Sequence, residues 1–150
     1  MWHIDATGSI IKRTGKQVLL YSLVEDSNIK GEPCIPVFEF LSENHDSNSI
    51  INALMTFKIL VKELTSFPDF FVTDMSWALM HSICECFMGT SLQEQIKIQW
   101  EMFSNDTRND KSNLLLCGSH FLNNIRKKMA KNIPNKQVCC LLYTSPSPRD

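Results

Sequence analysis

The chain has 150 residues, 43% of them hydrophobic and 21% charged, with a net charge of −1. Those values suit one globular domain with a core of its own, and bulk charge gives no argument for nucleic acid or a membrane surface as partner. No apolar run approaches the roughly 20 residues that a membrane span needs, and no basic stretch followed by an apolar one marks a signal peptide. Six cysteines are present. Cys34, Cys84, Cys86 and Cys117 are scattered and predict reduced, buried thiols in an intracellular protein.

In chain order, residues 2–11 carry a strand pattern that contains Asp5, and Gly8 permits a tight backbone just after it. Residues 13–16 form a turn. Residues 18–24 are a strongly apolar second strand. The polar stretch 26–32, with Gly31, is a hairpin-type connection. Residues 34–41 predict a third strand, for which Pro33 and Pro36 argue an edge position or a bulge. Connections this short pair the three strands antiparallel.

Residues 43–47 are a polar break with helix-capping types. Ile50, Ile51, Leu54, Phe57, Val61 and Leu64 then follow at helical spacing, an amphipathic helix of about four turns. Phe70, Phe71 and Val72 follow Pro68 as a short buried strand that ends on Thr73-Asp74. Ser76 opens a second helix through Ala78, Leu79, Ile83 and Phe87, and Gly89 suits its end. Leu92, Ile96, Trp100 and Phe103 stripe an otherwise polar segment. Trp77 and Trp100 are expected in the core, and Glu85 at the surface. After a polar loop, residues 114–117 predict another strand. Gly118-Ser119 turns into a basic helix with Phe121, Leu122, Ile125 and Met129 on one face, which Pro134 ends.

The order β-β-β-α-β-α-insert-β-α allows a right-handed crossover from the third strand to one parallel with the first. If that strand lies beside the first, Asp5 and Asp74 are neighbours at strand carboxyl ends, where open α/β sheets bind ligands. This is an α/β, ribonuclease-H-like topology. Taken alone, Asp74 reads as a helix cap. As a pair, the two carboxylates have the chemistry for hard cations such as Mg²⁺ or Mn²⁺. Two such ions about 3.5–4 Å apart serve phosphodiester chemistry. Sites of that kind use at least one further carboxylate.

Three blocks resemble a known family. His3-Ile4-Asp5-Ala6-Thr7-Gly8 resembles the first-aspartate strand of DDE transposases. Thr73-Asp74-Met75-Ser76-Trp77-Ala78-Leu79 is similar to their second-aspartate block. Cys117-Gly118-Ser119-His120, followed by residues 121–127, resembles the C-x-x-H block of Mutator-like transposases, in which it precedes the catalytic glutamate. The three blocks come in order over residues 1 to 138. The resemblance implies a ribonuclease-H-like core, Mg²⁺- or Mn²⁺-dependent cleavage and joining of DNA, transposon ends as substrate, and a nuclear location. It casts Asp5 and Asp74 as the first two metal-binding, catalytic carboxylates and Cys117 and His120 as the C-x-x-H pair. A homo-oligomer is expected of the full-length protein. No glutamate follows Glu101, so the third acid is missing and the expectation is an inactive fragment. The alternative is a domesticated, non-catalytic module that binds DNA or protein, and a third reading is a non-transposase nuclease of the same fold.

Arg126, Lys127, Lys128, Lys131 and Lys136 either contact DNA phosphates or form a solvated helix face. His81, Cys84 and Cys86 lack a usual zinc-pair spacing to join Cys117 and His120. Residues 140–150 match, over all eleven, the translation of a widely used tagmentation adapter, which predicts a disordered stretch foreign to the fold and a reading frame cut near Val138. The expected domain is therefore 1–139, a partial one.

Overall fold

The computed structural model describes residues 1–12, 17–27, 29, 31–62, 67–107 and 112–132, and for residues 9–12 and 130 the backbone alone. The expected turn at 13–16, Leu64, Lys136 and the whole stretch 140–150 lie outside those residues. The chain divides into two compact units, Met1–Cys117 and Gly118–Asp150.

The first unit is built on a mixed five-stranded sheet of order β3-β2-β1-β4-β5. The strands are β1 (Trp2–Lys12), β2 (Gln17–Glu25), β3 (Ile35–Ser42), β4 (Phe70–Thr73) and β5 (Asn113–Leu116). β1 runs antiparallel to β2, and β2 to β3. β4 is parallel to both β1 and β5. The chain is thus an α/β fold with the strand order that a crossover after the third strand predicts.

Alternation decides which face is covered. Trp2 and Ile4 of β1, Tyr21 and Leu23 of β2 and Phe71 of β4 are all buried. They join Ile50, Leu54 and Phe57 of α1 (Ser47–Leu60) and Leu79 and Ile83 of α2 (Trp77–Ile83) in one core. Each such side chain contributes about 1.5–3 kcal/mol by leaving water. Trp2 is the hub: its ring meets Phe57, Phe67, Phe71 and Phe87 edge-on, with centroids 5.8, 6.1, 5.8 and 6.3 Å away.

Caps set the helix starts. Asp46 accepts the backbone N–H of Ser49 at 2.9 Å to begin α1. Ser76 does the same for Leu79 at 3.5 Å to begin α2. Beyond α2 the helix widens into one π turn, Cys84–Met88, which Gly89 closes at a positive φ of 66°. Lys58 of α1 donates to the Cys86 carbonyl of that turn at 2.6 Å. Widened turns free carbonyls from the regular ladder, and this ammonium satisfies one of them.

Both sheet edges are handled locally. β3 is an edge strand with Pro36 in it, and the β2–β3 register shifts between Leu23 and Val24, which leaves Val37 as the extra residue. The edge or bulge expected of the prolines is both. At the other edge, α3 (Leu92–Asn105) inserts Leu92 and Gln95 into the interior.

Four residues depart from expectation. Trp77 is 65% and Trp100 68% exposed, so neither is a core residue; an apolar stripe marks a helix face without saying that anything covers it. Cys34 is exposed, and Cys117 only half-buried, whereas Cys84 and Cys86 are buried as expected. In the second unit, the predicted basic helix forms as α4 (Gly118–Asn132).

Candidate functional site

The site is defined by strand register. β1 and β4 pair Trp2 with Phe71, His3 with Val72 and Ile4 with Thr73. Continued by one residue, the same offset sets Asp5 level with Asp74. Adjacent strands lie about 4.8 Å apart. Ile4 and Thr73 point into the core, at 2% and 1% exposure. Alternation therefore carries the next residue of each strand out of it. Asp5 is exposed and Asp74 half-buried.

Each carboxylate has one oxygen held by the backbone beside it. Asp5 Oδ1 accepts from Ala6 N at 2.8 Å, and Asp74 Oδ1 from Ser76 N at 2.9 Å. The second bond is an Asx turn that directs the chain from β4 into α2. The cap of α2 is thus Ser76 and not Asp74, and the turn uses one Asp74 oxygen and leaves the other for the site.

The level that contains Asp5 extends across the sheet. Asp5 pairs with Ser22 and Ser22 with Glu39. Ser22 Oγ donates to Glu39 Oε1 at 2.9 Å. On the far side, the β4–β5 register pairs Thr73 with Leu116. Cys117 N donates to the Thr73 carbonyl at 2.7 Å, which prolongs that pairing to the level of Asp74.

A second group joins Tyr21, from the second strand, to His45, from the stretch read only as helix-capping. Tyr21 is buried, with its hydroxyl 3.2 Å from His45 Nδ1. His45 Nε2 lies 3.3 Å from the Gln17 carbonyl. A carbonyl only accepts, so Nε2 carries a proton, and with the ring neutral Tyr21 is the donor to Nδ1. Burial holds the Tyr21 phenol above its usual 10.0, helped by the negative charges of Asp46 and then Asp74. Tyr21 and His45 are 24 residues apart, and no local pattern announces such a meeting.

Among the described residues, no group of three or more His, Cys, Asp or Glu is arranged to hold a metal ion. The pair alone is an all-oxygen, doubly negative donor set. That set fits one Mg²⁺ or Mn²⁺, which binds through one or two carboxylates and keeps several waters. Glu85 is exposed. Cys117 closes the first unit, and His120 sits in the first turn of α4 with its Nδ1 buried and, among the described residues, without a hydrogen-bond partner. Arg126, Lys127, Lys128 and Lys131 are exposed along α4. Comparison with family models, with curated proteins and with solved structures returns no match.

Proposed function

We propose that the chain is part of the catalytic core of a Mutator-like DDE DNA transposase, with a ribonuclease-H-like sheet, acting on transposon-end DNA in the nucleus. The observation that carries this reading is the parallel β1–β4 register, whose continuation by one residue beyond Ile4 and Thr73 would set Asp5 level with Asp74, just past the end of β4. The three blocks that resemble the family, around Asp5, Asp74 and Cys117–His120, support the same reading.

In this reading Asp5 and Asp74 hold a divalent cation through the oxygens that Ala6 and Ser76 leave over. The ion, when bound, supplies Lewis-acid stabilisation of a phosphodiester oxygen. The residues of this chain do the positioning. Asp74 is fixed by its Asx turn, and Asp5 by the flanking pairings of β1 on both sides. Ser22 and Glu39 prolong a polar row beyond Asp5. No glutamate follows Glu101, so the chain as it stands binds a cation weakly and does not turn DNA over.

The experiment is titration of Mn²⁺ into the ¹⁵N-labelled chain. Paramagnetic broadening is expected at Asp5 and Asp74 together, at millimolar Mn²⁺, and is lost from both in Asp74→Asn. Broadening confined to one of the two, or unchanged in the variant, would sink the shared site.

A second reading is a non-catalytic, domesticated binding module. The exposed Arg126, Lys127, Lys128 and Lys131 on one helix favour it. Salt-dependent retention of duplex DNA that survives Asp5→Asn and vanishes in Lys127→Glu/Lys128→Glu would favour this alternative.

A further inference from the structure

α3 is fastened to its unit by one side. Leu92 and Gln95 are 1% and 3% exposed, and Gln99 Nε2 donates to the Leu114 carbonyl at 2.8 Å. The adjoining face carries Ile96, Trp100 and Phe103 at 52%, 68% and 82% exposure. Their i, i+4, i+7 spacing puts three large apolar side chains on one stripe. The Trp100 and Phe103 rings lie 6.2 Å apart and form a ridge. Isolated exposed apolar residues are ordinary, but a contiguous helical stripe of this kind marks an interaction surface.

We propose that this stripe is a self-association surface, on which α3 of one chain packs antiparallel against α3 of a second copy. The charges flanking the stripe choose the partner. Lys97 and Glu101 stand one turn apart on the same flank and are 77% and 59% exposed. A two-fold axis level with Gln99 sets Lys97 of each copy opposite Glu101 of the other, so that both charges are answered twice. That axis also lies near the middle of Leu92–Asn105, so the two helices overlap over nearly their whole length. Within one chain Lys97 and Glu101 are 3.9 Å apart, an exposed pair that costs little to exchange for one across the axis. Isologous contacts of this kind are self-complementary by construction.

The expected area sets the strength. Two aromatic residues and one isoleucine on each side, with their flanks, fall below the roughly 1,000 Å² of a stable interface. The dimer is therefore weak and concentration-dependent. It does not depend on the Asp5–Asp74 site.

Sedimentation equilibrium of the full chain across a broad concentration range tests this. The unmodified chain is expected to shift from monomer to dimer, and Trp100→Glu is expected to stay monomeric with an unchanged circular dichroism spectrum. Lys97→Glu is expected to weaken association roughly three- to fivefold, and Lys97→Glu/Glu101→Lys to restore it. A chain that remains monomeric throughout would overturn the proposal. So would a dimer that survives Trp100→Glu, or one in which the charge swap fails to recover what the single reversal loses. If Trp100→Glu does not fold, the charge-swap pair, both exposed, decides alone.

Discussion

The side-chain amide of Gln99 donates to the main-chain carbonyl of Leu114 at 2.8 Å, across the outer edge of the sheet. Asn113 and Cys117 spend their backbone N–H groups on β4. Leu114, between them, turns its carbonyl the other way, toward open sheet edge. Gln99 blocks that position, where an incoming strand would otherwise pair. Gln99→Leu is expected to lower stability by about 1 kcal/mol and to raise the tendency to aggregate. Urea denaturation and light scattering on heating measure the two effects. A variant with unchanged midpoint and unchanged scattering would show that the edge needs no such cover.

The aromatic hub around Trp2 gives a larger effect. Phe71 is fully buried, stacks on Phe87 at 4.7 Å and meets Trp2 at 5.8 Å. Phe71→Ala is expected to cost about 3–5 kcal/mol through lost transfer energy and the cavity left behind. That is a large share of the stability of an ordinary domain. Phe103→Ala, at 82% exposure, is expected to change stability by less than about 0.5 kcal/mol. Equal losses in both variants would contradict the assignment of core and surface.

Those two phenylalanines also mark how far the sequence could be read. The three antiparallel strands and the crossover after them were legible, because alternation marks strands and a helix between the third and fourth allows a crossover; that β4 lies directly beside β1 was only a condition in the sequence and is settled by the pairing itself. The short hydrophobic run after Pro68 and the cap at Ser76 fixed where β4 ends. Exposure on helices was less legible: Trp77 and Trp100 have the spacing of packed residues, but periodicity cannot say whether a face is covered. The π turn at Cys84–Met88 kept the same apolar pattern as a regular helix and left no separate trace. Tyr21, His45 and Asp46 came together through the fold alone, so only Asp46's local role as a cap was visible beforehand.

The buried thiols predict a loss of stability in alkali. Burial pushes Cys84 and Cys86 from 9.0 up to about 11, with Glu85 adding to the rise at Cys86 and Lys58 opposing it. Between those values the native state holds protons that the unfolded state has lost. Stability contributed by the protonated thiols is therefore complete below pH 9.0 and falls as pH rises toward about 11. The loss is at most about 3 kcal/mol for each thiol. Unfolding midpoints measured from pH 8 upward should fall over this window. They should fall less in Cys84→Ala after correction for its own baseline. The same burial protects both thiols from reagents, so Cys34, which is exposed, should react with a disulfide reagent well before either. Reaction of Cys84 ahead of Cys34 would show that the π turn opens.

The phenol of Tyr21 offers a test of where Asp74 points that needs no metal. Its pKa is raised by burial first, then by Asp46, then by Asp74. Asp74→Asn removes one negative charge while keeping an acceptor for Ser76 N, so α2 should start unchanged. The Tyr21 ionisation should then move down, toward the ordinary value, and Asp46→Asn should move it the same way. Asp74→Ala should move it too and, by deleting the acceptor, should also cost about 1 kcal/mol of stability. The phenolate titration, followed at the Tyr21 ring by NMR, overlaps the window in which the thiols destabilise the fold, so each variant is compared with the unmodified chain at the same pH while both remain folded. If Asp46→Asn moves the phenol and Asp74→Asn does not, the Asp74 carboxylate faces away from Tyr21.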